Sequence, residues 1–370
     1  MTRRVLTGAS IFDGERLRHQ HALVLGDGIY PEADVPLGLT PEVLPGGTIL
    51  PGFVDLQANG GGGVMFNDDP SVHTLRRIAE AHHRHGTAAL LPTLITDEPV
   101  RTEQAVDAVK RAVLEAVPGV VGLHLEGPHL SRARKGAHDK SLIRPMSAQD
   151  LALLTHAAEC LPHLMVTVAP ETVRPEQISA LVDAGAVISL GHSDAGYDMC
   201  RAAMAAGATC TTHLFNAMSP LGHREPGLVG ATLDHGAQHA GLIADGVHVH
   251  PVTIRAALAA KAGPGAVFLV TDAMSTLGSD ITEFTLNGRQ ILRRDGRLTL
   301  SDGTLAGADL DMPTAVQVLV NDVGLPLDRA LRMATSGPAA ALGSTTLGRF
   351  DPDMTEALYL SPGFEVSWYR

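Results

Sequence analysis

From about residue 50 onward the chain repeats one pattern: a short run of mostly apolar, β-prone residues, then a polar loop or a helix-like stretch. The apolar runs are PGFVDLQ (51–57), TAALLPTL (87–94), VVGLHLEG (120–127), LMVTVAP (164–170), AVISLGHS (186–193), ATCTTHLF (208–215), HAGLIADG (239–246) and AVFLVTDA (266–273). Their hydrophobicity is near-continuous rather than alternating, as expected of parallel strands covered on both faces. Helical periodicity fills several of the gaps, at 72–86, 103–117, 176–185 and 199–207. Several of these stretches end in glycine, where a left-handed residue closes a helix. Repeated β/α units of this kind predict an α/β fold, a (β/α)8 TIM barrel, with a doubly wound open sheet as the competitor. The position of the polar residues favours the barrel, as set out below.

The two ends of the chain read differently. Residues 1–49 give short strands with turns, RRVLTGASIF and then HALVLGDG, and the tail EALYLSPGFEVSWYR (356–370) gives two strands around Pro362-Gly363. Neither end can bury much surface alone. The expectation is a small β-sandwich domain built from both terminal segments, 1–49 and 345–370, beside a barrel spanning 50–344. Within the barrel region, TEFTLNGRQILRRDGRLTLSDG (282–303) carries turn signals at Asn287-Gly288 and Asp295-Gly296 and reads as hairpins. Helical patterns follow at 311–323 and 326–335.

Composition narrows the function. The chain has 370 residues, 28 Lys+Arg against 40 Asp+Glu, and a formal net charge of −12. An acidic chain repels phosphate backbones, which argues against a nucleic-acid partner. The absence of a long apolar run argues against a membrane span, and the N-terminus has no apolar stretch typical of a secretory signal. Cys160, Cys200 and Cys210 form no CxxC pair and read as small hydrophobes in a reducing, cytoplasmic compartment. Eighteen histidines are conspicuous beside so few cationic residues, and their positions carry the next step.

In a β/α barrel the chemistry gathers at the C-terminal ends of the strands. Glu126 closes the third predicted strand, His192 the fifth, His213 the sixth and Asp272 the eighth. Each alone has a bland reading, a hydrogen-bonded histidine or a helix cap. Together they are the set a mononuclear hydrolytic metal site needs: imidazoles and a carboxylate for the ion, a further carboxylate for protons.

Longer motifs run in the same order: LEGPHL (125–130), KGAHD (135–139), GHSDA (191–195), THLFNAM (212–218), HREPGL (223–228), IADGVHVH (243–250), VTDAM (270–274) and TLAG (304–307). With PGFVDLQANGGGGVMFND (51–68) and PTLIT (92–96), the chain resembles the N-acetylglucosamine-6-phosphate deacetylases of the amidohydrolase superfamily. The resemblance covers residues 51 to about 345. It implies Glu126, His192 and His213 as metal ligands and Asp272 as the catalytic carboxylate. It also implies that His248 polarises the carbonyl and holds substrate. For the sugar phosphate it implies Arg224 and the backbone around Asn216 and Ala217, with Ala137, His138, Leu305, Ala306 and Gly307 along the sugar. An arginine fork with oriented N–H groups suits a phosphomonoester.

The implied reaction releases acetate from N-acetylglucosamine 6-phosphate, with one divalent metal ion. Zn2+ is the first choice, and Fe2+, Co2+ and Mn2+ also accept such ligands. The resemblance further implies a homodimer. The alternatives are the N-acetylgalactosamine 6-phosphate epimer, a cyclic-amidase-type enzyme, and a silent sugar-phosphate-binding relative. Many amidohydrolases end the first strand with an HxH pair that completes a second metal site; here the stretch reads Gln57-Ala58-Asn59. Gly60 to Gly63 read either as a flexible turn or as a place where the chain passes close to the site. His129 stands where the family usually has an aromatic, which predicts an altered pocket mouth. His82, His83 and His85 are expected on a solvent-exposed helix face, His124 lining the barrel, and His250 near the site.

Overall fold

A computed structural model describes residues 4–36, 38–351 and 353–370. Eight parallel strands form one sheet in sequential order: β1 (Phe53–Ala58), β2 (Thr87–Ile95), β3 (Leu123–Glu126), β4 (Leu164–Val168), β5 (Val187–Leu190), β6 (Cys210–Thr211), β7 (His239–Leu242) and β8 (Val267–Leu269). The sheet closes where Ala273, beyond β8, bridges in parallel to Ala58 of β1. Asp272 N–H also donates to the Gln57 carbonyl at 2.9 Å. The fold is therefore the (β/α)8 barrel, and the open-sheet competitor falls away.

Burial explains the near-continuous hydrophobicity. All five residues of β4 and all six of β1 are buried, because one face fills the barrel and the other packs under helices. The predicted helices form at Val72–Arg84, Pro99–Leu114, Pro175–Asp183 and Tyr197–Ala205; the first ends two residues early and the other three lie one to four residues nearer the N-terminus than their sequence patterns. Val72–Arg84 starts where the Ser71 hydroxyl accepts from Thr74 N–H, an ordinary N-cap. A helix at Gly227–Asp234 escapes periodicity altogether, because seven of its eight residues are buried and no polar face exists to set a stripe.

Two further sheets come from the chain ends. In one, His21–Val24 and Pro41–Val43 flank Val5–Thr7, with Gly28–Pro31 outside. In the other, the C-terminal strand Ala357–Leu360 pairs antiparallel with Thr48–Leu50, joining tail to head. Leu6, Ile11, Leu23, Ile49 and Tyr359 fill the space between them, which makes the small β-sandwich. Trp368 stacks on His83 and donates from its indole to the His83 carbonyl at 2.7 Å, tying the sandwich to the barrel's first helix.

The 282–303 segment forms a three-stranded antiparallel sheet, Glu283–Leu286, Arg289–Arg294 and Arg297–Thr299. Asn287 and Asp295 take the left-handed backbone that their turns require. Its buried Leu286, Ile291 and Leu298 pack on Met65, Ile95 and Met274, at the end of the barrel where β3 presents Glu126. Among the described residues no helix is long and apolar enough to cross a membrane.

Candidate active site

Glu126 is the last residue of β3, in register with Ile95 of β2 and Thr167 of β4, and its side chain points into the barrel mouth. His192 and His213 each stand two residues beyond a strand, β5 and β6, and both take positive φ, 47° and 28°. Both imidazoles line the cavity. Their Nε2 atoms lie 3.1 Å apart and 3.1 and 3.0 Å from Glu126 Oε1. Burial pushes Glu126 towards protonation, but the hydrogen bonds from His192 and His213 outweigh it and hold the carboxyl well below its ordinary value. Burial likewise disfavours a charged His213, and Glu126 overrides it, raising the imidazole.

The donor set fits a divalent cation. His192 donates from Nδ1 to the Arg134 carbonyl at 2.8 Å, so in the neutral ring Nε2 carries a lone pair. That lone pair faces a carboxylate oxygen and a second imidazole nitrogen. Three buried donor atoms within 4.8 Å of one another gain most from a shared positive charge.

Asp272 follows β8 and also has positive φ, 51°. Its Oδ1 accepts from Asn59 Nδ2 at 2.7 Å and Gln57 Nε2 at 3.1 Å. Burial, then the nearby Glu126 charge, raise its carboxyl to about 6. His248 is held from behind: its Nδ1 meets Asp245 Oδ2 at 2.6 Å, leaving Nε2 for the cavity. Burial pushes Asp245 up, and the hydrogen bonds from His248 and two backbone N–H groups more than reverse it. His138 Nδ1 lies 2.7 Å from Thr96 Oγ1, and burial followed by the neighbouring His192 pushes its ring down to about 3. Half of the ten non-glycine residues with left-handed backbone among the described residues belong to this region: His192, His213, Phe215, Ala217 and Asp272. Such clustering is what a functional site over-determined by its surroundings looks like.

These groups line one cavity of about 370 Å³. Glu126, His192, His213, Asp272, His248, Ala137, His138, Asn216, Ala217, Leu305 and Gly307 all reach it. Ala306 does not; it is buried in the packing beneath the three-stranded sheet. Arg224 does not either; it sits in the exposed stretch 221–225. Arg134 lines the cavity, a residue the motifs did not single out, and its Nε donates to Asp194 at 2.7 Å. The only sequence signal for it is its place beside KGAHD.

The remaining histidines sort by burial. His124 lies inside the barrel below Glu126 and bridges the Leu56 carbonyl (2.9 Å) and Thr167 Oγ1 (2.8 Å), without reaching the cavity. His129 is buried against the Arg144 carbonyl rather than at the pocket mouth. His82 is fully buried, not exposed, and its Nε2 meets the Gly60 carbonyl at 3.0 Å. His250 caps the helix Pro251–Ala260. Gly60 is a point of close approach: a Cβ there would meet Val64 O at 2.5 Å and Ser275 N at 2.8 Å. Gly307 is another, since a Cβ would fall 2.9 Å from the Asp272 carbonyl oxygen.

Comparisons with known proteins give the same neighbourhood. The amidohydrolase family profile matches residues 48–353. The chain is 45% identical to the N-acetylgalactosamine-6-phosphate deacetylase of Shewanella sp. (strain ANA-3), over 93% of this chain and 88% of that one. It is 35% identical to the N-acetylglucosamine-6-phosphate deacetylase of Haemophilus influenzae, over 86% and 83%. Among solved structures, the N-acetylglucosamine-6-phosphate deacetylase of Pasteurella multocida superposes with a TM-score of 0.93 at 37% identity, covering 98% of this chain and 97% of that one.

Proposed function

This chain belongs to the amidohydrolase family, in the branch of the N-acetylglucosamine-6-phosphate deacetylases, and from that membership we propose that it hydrolyses the acetamide of N-acetylglucosamine 6-phosphate to acetate and glucosamine 6-phosphate. The observation that carries the reading is the buried Glu126/His192/His213 cluster sharing one cavity with Asp272. These three side chains would hold one divalent cation, zinc first among Zn2+, Fe2+, Co2+ and Mn2+, which supplies a Lewis acid for an attacking water and the acetamide carbonyl.

The chain's own groups do the rest. Asp272, with Oδ1 fixed by two amide donors, takes the proton of the attacking water and returns it to the departing nitrogen. An amide C–N bond breaks readily only when its nitrogen leaves protonated. His248, oriented by Asp245, presents Nε2 to the carbonyl side of the substrate. The Gln57 and Asn59 amides turn N–H groups towards Asp272 where other amidohydrolases place imidazoles, which supports a single metal. Asn216, Ala217, Ala137, His138, Leu305 and Gly307 would frame the sugar phosphate, with Ala306 setting the loop from below.

The phosphate needs a cation. Arg224 is exposed and off its own cavity, so in this reading it serves a neighbouring copy in a homodimer. Arg134 is the competing cation in cis. The division of the chain goes with the same reading: a small β-domain of 1–49 and 345–370, and a catalytic barrel of 50–344, working in the cytoplasm.

A second substrate has a specific observation behind it, because the relative at 45% identity is named for the galactosamine epimer. Steady-state acetate release from both epimers tests the proposal. Turnover with a higher kcat/KM on the glucosamine epimer is expected. A clear preference for the galactosamine epimer transfers the reading to that sugar, and no turnover of either would mean a silent sugar-phosphate binder.

A further inference from the structure

Asp55 lies in the middle of β1, fully buried and outside the cavity. A carboxylate in that position is costly: burial, with the Asp272 charge adding to it, outweighs the hydrogen bonds from Thr271 and Gln57 and leaves its carboxyl raised to about 7. Its partners explain what it does. Asp55 Oδ1 accepts from Gln57 N–H at 3.1 Å and from Thr271 N–H at 3.2 Å, and Oδ2 accepts from the Thr271 hydroxyl. The same hydroxyl oxygen accepts from Ala273 N–H at 3.2 Å. Thr271 therefore clasps the backbone on both sides of Asp272, the residue held at φ 51°. Gln57, the other partner, carries the amide that donates to Asp272 Oδ1, and its carbonyl accepts Asp272 N–H.

Two of the β1-side groups that fix Asp272, the Gln57 amide and the Gln57 carbonyl, thus sit on a residue whose N–H Asp55 holds, while Asn59 Nδ2 holds Asp272 Oδ1 independently. A left-handed aspartate has no intrinsic reason to stay there, and costs of order 1–3 kcal/mol unless its neighbours insist. We propose that Asp55 and Thr271 form a brace that sets the Asp272 carboxylate in its working position, making both of them positioning residues for the hydrolysis. The brace rests on the deacetylase reading above, because it is Asp272's proton transfer that it serves. Neither residue reaches the cavity, so neither touches substrate.

The test uses the full-length metal-loaded enzyme, with rates expressed per folded, metal-containing protein. Thr271→Val keeps the side chain's shape and removes the hydroxyl; Asp55→Asn keeps its size and replaces one acceptor oxygen. Misplacement of a catalytic group by about 1 Å costs up to roughly 100-fold, so both variants should lose about 10- to 100-fold in kcat. KM should stay within about twofold, since ground-state contacts are untouched. Metal content should match the wild type. Thr271→Ser restores the hydroxyl without the methyl and should recover most of kcat. Thr271→Val at wild-type kcat would overturn the brace, as would Thr271→Ser failing as badly as Thr271→Val, which would make the methyl's packing decisive. Should Thr271→Val precipitate, the kcat and KM of Asp55→Asn decide on the same criteria. A wild-type enzyme inactive on both epimers would instead sink the deacetylase reading, and is distinguished by needing no variant.

Discussion

Asp272 is where the chemistry and the physics of single residues meet. Its carboxyl is raised to about 6 by burial and by the Glu126 charge, and a general base works only when deprotonated. As pH falls through that value the protonated fraction rises and kcat/KM should fall with it. A cation held by Glu126, His192 and His213 adds positive charge nearby and moves the limb lower. The expected profile has an acid limb at or below about pH 6; a limb above neutrality would contradict the assignment. Asp272→Asn should cut kcat by roughly 10²- to 10⁴-fold while leaving metal content, read by elemental analysis, unchanged. Retained activity near wild type would remove Asp272 from the reaction. These residues were legible because strand ends select them. His124 was legible as lining the barrel, but His82 was not legible as buried, because a histidine on a helix looks the same in sequence whether it faces solvent or a carbonyl. Only the Gly60 carbonyl decides.

At the scale of elements, the eight strands were readable from apolar runs, but their ends were not. The run 208–215 keeps its ladder only at Cys210–Thr211, and the run 266–273 only at Val267–Leu269. In both cases the backbone leaves the sheet to turn a cavity-lining residue, His213 or Asp272, into a left-handed conformation. Propensity cannot anticipate that, because the site's geometry overrides it. The three-stranded sheet was legible from its two turns, while its use was not. It supplies Leu286 to the cavity wall, and Arg289 donates to the Ala137 carbonyl, fastening the sheet to the loop that carries His138. A hydrogen bond from a half-exposed guanidinium is worth about 1 kcal/mol, so Arg289→Ala should raise KM by up to about fivefold. The change in kcat should be smaller and the melting temperature nearly constant. An unchanged KM would show that the loop holds its shape without the sheet.

At the scale of the whole molecule, the net charge of −12 poses a question that no single residue answers. An anionic sugar phosphate approaching this surface needs local cations, and two arginines in different places compete for that role. Arg134 lines the cavity but already donates to Asp194. Arg224 is exposed, with Leu221 and His223 beside it exposed as well, and does not line its own cavity. If Arg224 acts across a dimer, two crippled chains can repair each other. Arg224→Ala and Asp272→Asn should each be poorly active alone. In a mixed dimer, the site that keeps Asp272 then receives Arg224 from the Asp272→Asn subunit and is complete. Co-refolding or co-expressing the two variants should therefore regain up to about a quarter of wild-type activity, since about half the dimers are mixed and each holds one whole site. If Arg224 acts within its own chain, every site in the mixture keeps one defect and the activity stays at the average of the two variants. If Arg224→Ala alone is fully active, Arg134 carries the phosphate and Arg134→Ala should raise KM for the phosphorylated sugar while sparing the unphosphorylated one.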